Sequence, residues 1–219
     1  MTLSPTSTHE DTLLMSSTDK ETLENHPAFI GCSRLIILVP FVLILTYIIL
    51  SMDVVPDSPS FDVESEGSLN SLTVNGTQLT AEFNISVSGY NFKSYSRVYY
   101  DDVSAEIFYR GEGVVLTKSS LPSFTTDGKS ESVIHLTLSV NKSDDFGGAA
   151  TGIARSRKDG TVEFGLIVKS LFKYKNRWAQ SDWRPMKVVC NPLKFAVSPN
   201  DNNTTNPGIL LEGLRCSST

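Results

Sequence analysis

Nucleophilic and metal chemistry have little to work with in this sequence, which holds three cysteines and three histidines among 219 residues. A zinc site needs cysteine and histidine grouped together, and the two late cysteines, Cys190 and Cys216, have no histidine near them in sequence. Nucleophilic catalysis needs a base beside the nucleophile. After residue 52 the sole histidine is His135, which alternates with Thr137 and Ser139 and reads as a solvated strand position. Adjacent carboxylates occur there only at Asp101-Asp102 and Asp144-Asp145. Such pairs can bind calcium or act as the acid and base of a glycosidase, but strand neighbours point to opposite faces and the second pair falls in a loop-like segment. There is no phosphate loop, dinucleotide fingerprint or Gly-x-Ser-x-Gly elbow. The net charge of −5 gives no argument for nucleic acid. No cofactor is implied.

Long apolar runs are equally scarce, and the single one organises the chain. Leu35 to Met52 carries no charge over 18 residues, about 27 Å as a helix against a hydrocarbon core of about 30 Å. A signal peptide starts basic and close to the amino terminus. Here 34 residues precede the run, five of them acidic. Pro40 would damage a soluble helix more than one in lipid. The run is therefore expected to be a transmembrane helix, residues 34–55. Arg34 and Lys20 lie on its amino-terminal side, and no Lys or Arg follows until Lys93, which points the amino terminus to the cytosol. Residues 1–33, rich in Ser, Thr and Glu, read as a disordered cytosolic tail. Sequons at Asn75, Asn84, Asn141, Asn202 and Asn203 all follow the run, as glycosylation in a secretory compartment requires. Cys32 is a candidate for S-palmitoylation or an unmodified thiol. Cys190 and Cys216 would share an oxidising compartment and are expected to pair, the alternative being two free thiols on a loose tail.

The residues after a linker at 56–68 alternate apolar and polar in strand fashion. Ala81, Phe83, Ile85 and Val87 form one face; Val103, Ala105, Ile107 and Tyr109 another; Ile134, Leu136, Leu138 and Val140 a third; Val162, Phe164, Leu166 and Val168 a fourth. Turn signals separate them at Ser88–Asn91, Arg110–Gly113, Thr126–Lys129, the glycine-rich stretch from Asp144, and Lys158–Gly160. Leu69 to Val74 and Met186 to Val197 supply further strands, the latter interrupted at Asn191-Pro192. No helical period of useful length is evident after the run. The fold class is all-β, an antiparallel β-sandwich over residues 69–200 preceded by the single transmembrane helix. Residues 201–219 form a tail tethered by the disulfide.

The order of the segments LTAEFNISVSGYNFKSYSRVYYDDVSAEIFYRGEGV, LPSFTTDGKSESVIHLTL and FKYKNRWAQSDWRPMKVVC, with a final Cys, resembles the plant harpin-induced-like or non-race-specific-disease-resistance-like proteins, which carry the late embryogenesis abundant group 2 domain. The resemblance covers about residues 35 to 216. One departure is the family's Asn-Pro-Asn turn, here Gly89-Tyr90-Asn91. The resemblance implies a single-pass plasma-membrane protein with a fibronectin-like β-sandwich outside the cell, acting in defence or abiotic stress without catalysis.

For interaction, the stretch from Lys169 to Lys187 stands out. Lys173, Lys175 and Arg177 are expected on one strand face, with Trp178 and Trp183 flanking the next turn, a pattern suited to an acidic cell-wall polysaccharide, a phospholipid headgroup or a partner protein. The alternative is a solvated strand face with the tryptophans covering the sandwich edge. Besides the membrane-anchored surface protein, two further classes stay open. One is a lumenal type II enzyme acting on glycans, and the other a membrane tether working through its cytosolic tail.

Overall fold

The structure, a computed structural model, describes residues 37–49, 58–109, 113–141, 146–199 and 207–218. Residues 1–33 with Cys32, the ends of the apolar run at Leu35 and Met52, Asp144-Asp145, and the sequon residues Asn202 and Asn203 lie outside the described residues. Residues 37–49, including Pro40, form a helix, α1, and every one of them is exposed. Among the described residues no helix is long and apolar enough to cross a membrane, since 13 residues reach only about 20 Å.

Residues 58–218 build a β-rich unit. Its strands are β1 (Ser60–Val63), β2 (Ser68–Asn75), β3 (Gln78–Tyr90), β4 (Arg97–Tyr109), β5 (Val114–Leu121), β6 (Phe124–Thr126), β7 (Glu131–Val140), β8 (Thr161–Lys175), β9 (Arg184–Ala196), β10 (Gly208–Leu210), β11 (Leu214–Arg215) and β12 (Ser217–Ser218). All pairings between them are antiparallel. In one layer β3 pairs with β7 along one edge and with β2 and β1, one after the other, along its second edge. In the other layer β4 and β8 are central, β9 lies beyond β8, and β5 and β6 follow one another along β4. This is an all-β sandwich, as the alternation predicts.

The alternating faces meet in the core. Ala81, Phe83, Ile85 and Val87 are buried, as are Val103, Ala105, Ile107, Leu136, Leu138, Val140, Val162, Phe164, Leu166 and Val168. Phe83 crosses the layers to meet Phe164 edge-on at 4.9 Å and Phe195 at 6.1 Å between ring centres, the geometry in which a positive ring edge meets a negative ring face. A second aromatic group, Phe61, Tyr100 and Phe124, packs nearer one end, with Phe124 stacked on Tyr100 at 4.2 Å.

Three expectations need correction and one is refined. The segment 56–68 is not only linker: Phe61 and Val63 alternate inward from β1, a strand too short for periodicity to register. Residues 201–219 are more than a tethered tail, because β10, β11 and β12 join the sheet. At Asn191-Pro192 the peptide is cis and β9 is interrupted as expected, but only by a bulge in which these two residues face Gly165 alone between the Phe164–Leu193 and Leu166–Cys190 pairs, and the strand continues to Ala196. The glycine-rich stretch contains a helix, α2 (Gly148–Lys158), with Ala149, Ala150, Ile153 and Arg157 on its buried side. Two short alanines and one isoleucine make a weak apolar stripe, which the glycines hide. Arg157 is buried because its guanidinium donates to the carbonyl oxygens of Leu72 and Ser198, each at 3.0 Å, and a buried charge needs such partners.

Cys190 and Cys216 are joined, the expected pairing. The bridge closes a loop of 26 residues and should stabilise the fold by about 3.5 kcal/mol through the unfolded chain. Reduction, or Cys190→Ser, should lower the denaturant midpoint accordingly, and an unchanged midpoint would refute that role. Gly165 faces Phe108 so closely that a Cβ would lie 2.1 Å from the ring. Gly165→Ala should therefore cost about 1–3 kcal/mol by overpacking, and an unchanged melting temperature would show that the ring gives way.

Candidate functional site

The basic and aromatic segment lies at one end of the sandwich. On β8 alternate residues face inward, Ser170, Phe172 and Tyr174 being buried, so Lys169, Leu171, Lys173 and Lys175 line the outer face. Lys173 pairs across the sheet with Tyr99. Its Nζ sits 4.4 Å from the Trp183 ring centre and 5.9 Å from that of Tyr99, within reach of both ring faces. Arg177 falls beyond the end of β8 rather than on its face, and its guanidinium lies 5.4 Å from the Trp178 ring.

The turn carrying Trp178 is tightly built. The Asn176 Oδ1 accepts from the backbone N–H of Trp178 at 2.8 Å and of Ala179 at 2.7 Å. Ser181 returns the chain, its N–H donating to the Tyr174 carbonyl and its hydroxyl accepting from the Tyr174 N–H. Trp178 is 75% exposed and Trp183 41% exposed, so Trp178 does not cover the sandwich edge.

Sequence reasoning missed the neighbouring loop. Residues 91–96 join β3 to β4 and expose Phe92 (60%) and Tyr95 (80%). The signal was present as two aromatics inside a turn segment, YNFKSYS. Asn91 sets this loop. It is fully buried, and its Nδ2 donates to the carbonyls of Ser96 at 2.7 Å and Asp127 at 3.1 Å, while Oδ1 accepts from the Lys93 N–H at 3.1 Å. Gly128 packs against it from the β6–β7 turn, where a Cβ would lie 2.5 Å from the Ser94 carbonyl oxygen. Arg97 pairs with Asp127. Residues 94–97, 127–128 and 175–177 line one shallow hollow there.

The remaining candidates are placed as follows. His135 is exposed, with Nδ1 2.9 Å from the Ser86 hydroxyl. Asp101 and Asp102 do not take opposite faces. A bulge with Asp102 at φ +49° breaks the alternation and leaves both exposed. The Ser123 hydroxyl donates to Asp101 at 2.6 Å and holds its carboxyl below the usual range. Among the described residues no group of three or more His, Cys, Asp or Glu is placed to hold a metal ion. Asn75 and Asn141 are exposed. Asn84 is half-buried, its amide shared between Glu82 and Thr137.

Further along the outer face Glu106, 7% exposed, accepts from Lys169 Nζ at 2.9 Å on both oxygens and lies 3.3 Å from Lys118 Nζ. The Lys169 hydrogen bond holds its carboxyl below the ordinary range against the opposing effect of burial, with Lys118 adding to it. Burial pushes the Tyr100 hydroxyl up.

No protein-family model matches the chain, and no curated protein matches it. Among solved structures it is similar to a crystal structure of a protein from Archaeoglobus fulgidus, at 12% identity over 62% of this chain and 98% of that one, with a TM-score of 0.36. So remote a likeness adds nothing to the fold described above.

Because the Glu106 carboxyl titrates lower when folded, it contributes stability above the unfolded value that is lost as pH falls through the folded one. Unfolding followed between about pH 6 and about pH 3 should show a smaller acid-induced loss in Glu106→Gln than in the natural chain. Equal losses would mean that the lysine pair does not matter.

Proposed function

We propose that this chain is a single-pass, membrane-anchored, non-catalytic β-sandwich protein of the cell surface, of the harpin-induced-like kind, serving plant defence or abiotic stress responses. The observation that carries the anchor is α1. Its large apolar side chains are exposed on every face, Ile37 at 69%, Leu43 at 64% and Tyr47 at 73%, and a helix apolar all round needs lipid or protein around it. It belongs to the charge-free run from Leu35 to Met52, which is long enough as a sequence to span the hydrocarbon core.

Three features support placing the sandwich outside the cytosol. Arg34 precedes the run while no Lys or Arg follows until Lys93. The Cys190–Cys216 bridge suits an oxidising compartment. Asn75 and Asn141 stand exposed as glycan acceptors. The plasma membrane and the defence role rest on the family resemblance.

Tags at both termini, with protease added to intact cells and glycosidase digestion of the product, test the reading. The carboxyl-terminal tag should be lost, the amino-terminal tag protected, and the product should shift on glycosidase treatment. An unglycosylated chain with its carboxyl terminus in the cytosol would overturn it.

A further inference from the structure

The two ends of the sandwich differ, and the difference follows the path of the chain. Ser60 pairs with Tyr90, so the chain enters the sandwich beside the 91–96 loop. Arg97 pairs with Lys175, which brings the 176–183 turn to that same end. The opposite end carries the Asn75-Gly76 hairpin and Asn141, which follows the Ala81↔Val140 pair.

Exposed aromatic side chains respect this polarity. Among the described residues of the sandwich, the large aromatics classed as exposed are Phe92, Tyr95, Trp178 and Trp183, and all four belong to the two loops at the end where the chain enters. Charge follows as well. Residues 90–97, 126–131 and 173–184 carry seven Lys and Arg against three Asp and Glu, in a chain of net charge −5. Both exposed glycan acceptors among the described residues lie at the opposite end.

We infer that this aromatic and basic end docks on the phosphate-bearing headgroups of the bilayer in which the chain is anchored. The inference rests on the membrane-anchored reading above. Eight residues, 50–57, separate α1 from Ser58, and eight residues reach at most about 29 Å. The end that bears Ser60 is thus the one the chain can bring to a membrane surface. Trp and Tyr favour the interface, where an amphipathic ring meets headgroups. Lys and Arg there gain from anionic lipid. Glycans at Asn75 and Asn141 would point away from the lipid. An acidic polysaccharide offers the cations a similar charge, but nothing in the path of the chain brings it to this end.

Trp178 and Trp183 are the only two tryptophans in the chain, so intrinsic fluorescence of the intact protein reports this end alone. The full chain, inserted in phosphatidylcholine–phosphatidylglycerol vesicles, should stay with them through an alkaline wash and flotation. A lipid with a nitroxide on its headgroup should quench the tryptophans, and iodide should quench them less than in lipid-free detergent. Combining Lys175→Gln and Arg177→Gln with Phe92→Ser and Tyr95→Ser should reduce quenching by the labelled lipid. Lys158→Gln, at the opposite end, should not. An unfolding transition kept within a few degrees confirms that the variants fold. Flotation without quenching by the labelled lipid would overturn the docking while leaving the anchor standing. Loss of the chain in the alkaline wash would overturn the anchor and the docking together. Protection from iodide by added polygalacturonate, with none from lipid, would assign this end to an acidic polysaccharide and overturn the inference.

Discussion

The sandwich depends on the way its last residues close it. β3 and β8 each have neighbours on both sides, but the outer edges of β2 and β9 would otherwise present unpaired backbone groups, which invite association with other chains. β10 lies between them, pairing with β2 through Gly208 and Ile209 and with β9 through Ile209 and Leu210. β11 then pairs with β1, and β12 returns to β9 at Val189 and Val188, next to Cys190. The disulfide therefore acts where the chain has least else to hold it. Strands of two residues carry few contacts, and without the bridge β11 and β12 would have little to offset their ordering entropy.

Where burial alternates cleanly, sequence and structure agree, as β3 shows: Leu79, Ala81, Phe83, Ile85 and Val87 are buried while the residues between them are partly exposed. Period-two patterning needs several turns of the pleat to register, and β1, with Phe61 and Val63 alone, offers too few. It fails wherever the backbone leaves the pleat. The bulge at Asp102 places two consecutive carboxylates in water, and an argument from opposite faces cannot anticipate it. α2 was hidden for a different reason. Its buried side is made of Ala149, Ala150 and Ile153, and Gly152 lies so close to Tyr109 that a Cβ would come 2.8 Å from the hydroxyl. A small residue is needed there for helix and sheet to approach, so the feature that reads as a loop is a packing requirement.

The segments that carry the family resemblance acquire physical roles. In Leu121-Pro122-Ser123-Phe124 the proline falls between β5 and β6, Ser123 binds Asp101, and Phe124 stacks on Tyr100. Tyr99 and Tyr100 divide between the faces, one beside Lys173 and the other in the core. Gly89-Tyr90-Asn91 stands where the resemblance would have Asn-Pro-Asn, and Asn91 is the position the two share. Its side chain, buried and bonded to the backbone of Lys93, Ser96 and Asp127, joins the β3–β4 loop to the β6–β7 turn. That side-chain joint is made by Asn91, with Gly89 and Tyr90 as the residues before it.

The candidate surface was half legible, because its two halves come from segments far apart in sequence. Lys173, Lys175, Trp178 and Trp183 fall within one stretch of 11 residues, and clustering alone singles them out. Phe92 and Tyr95 lie about 80 residues earlier and join the surface only because β4 and β8 run antiparallel with Arg97 opposite Lys175. Taken separately, each loop looks like an ordinary turn with a stray aromatic. Together they give the sandwich a polarity that neither composition nor net charge reveals, since the cations at this end are outweighed by acidic residues elsewhere in the chain. An exposed ring in water lacks the gain of burial, and four such rings gathered beside the point where the chain enters are better accounted for by a surface that meets them there than by the demands of the core, which is complete without them.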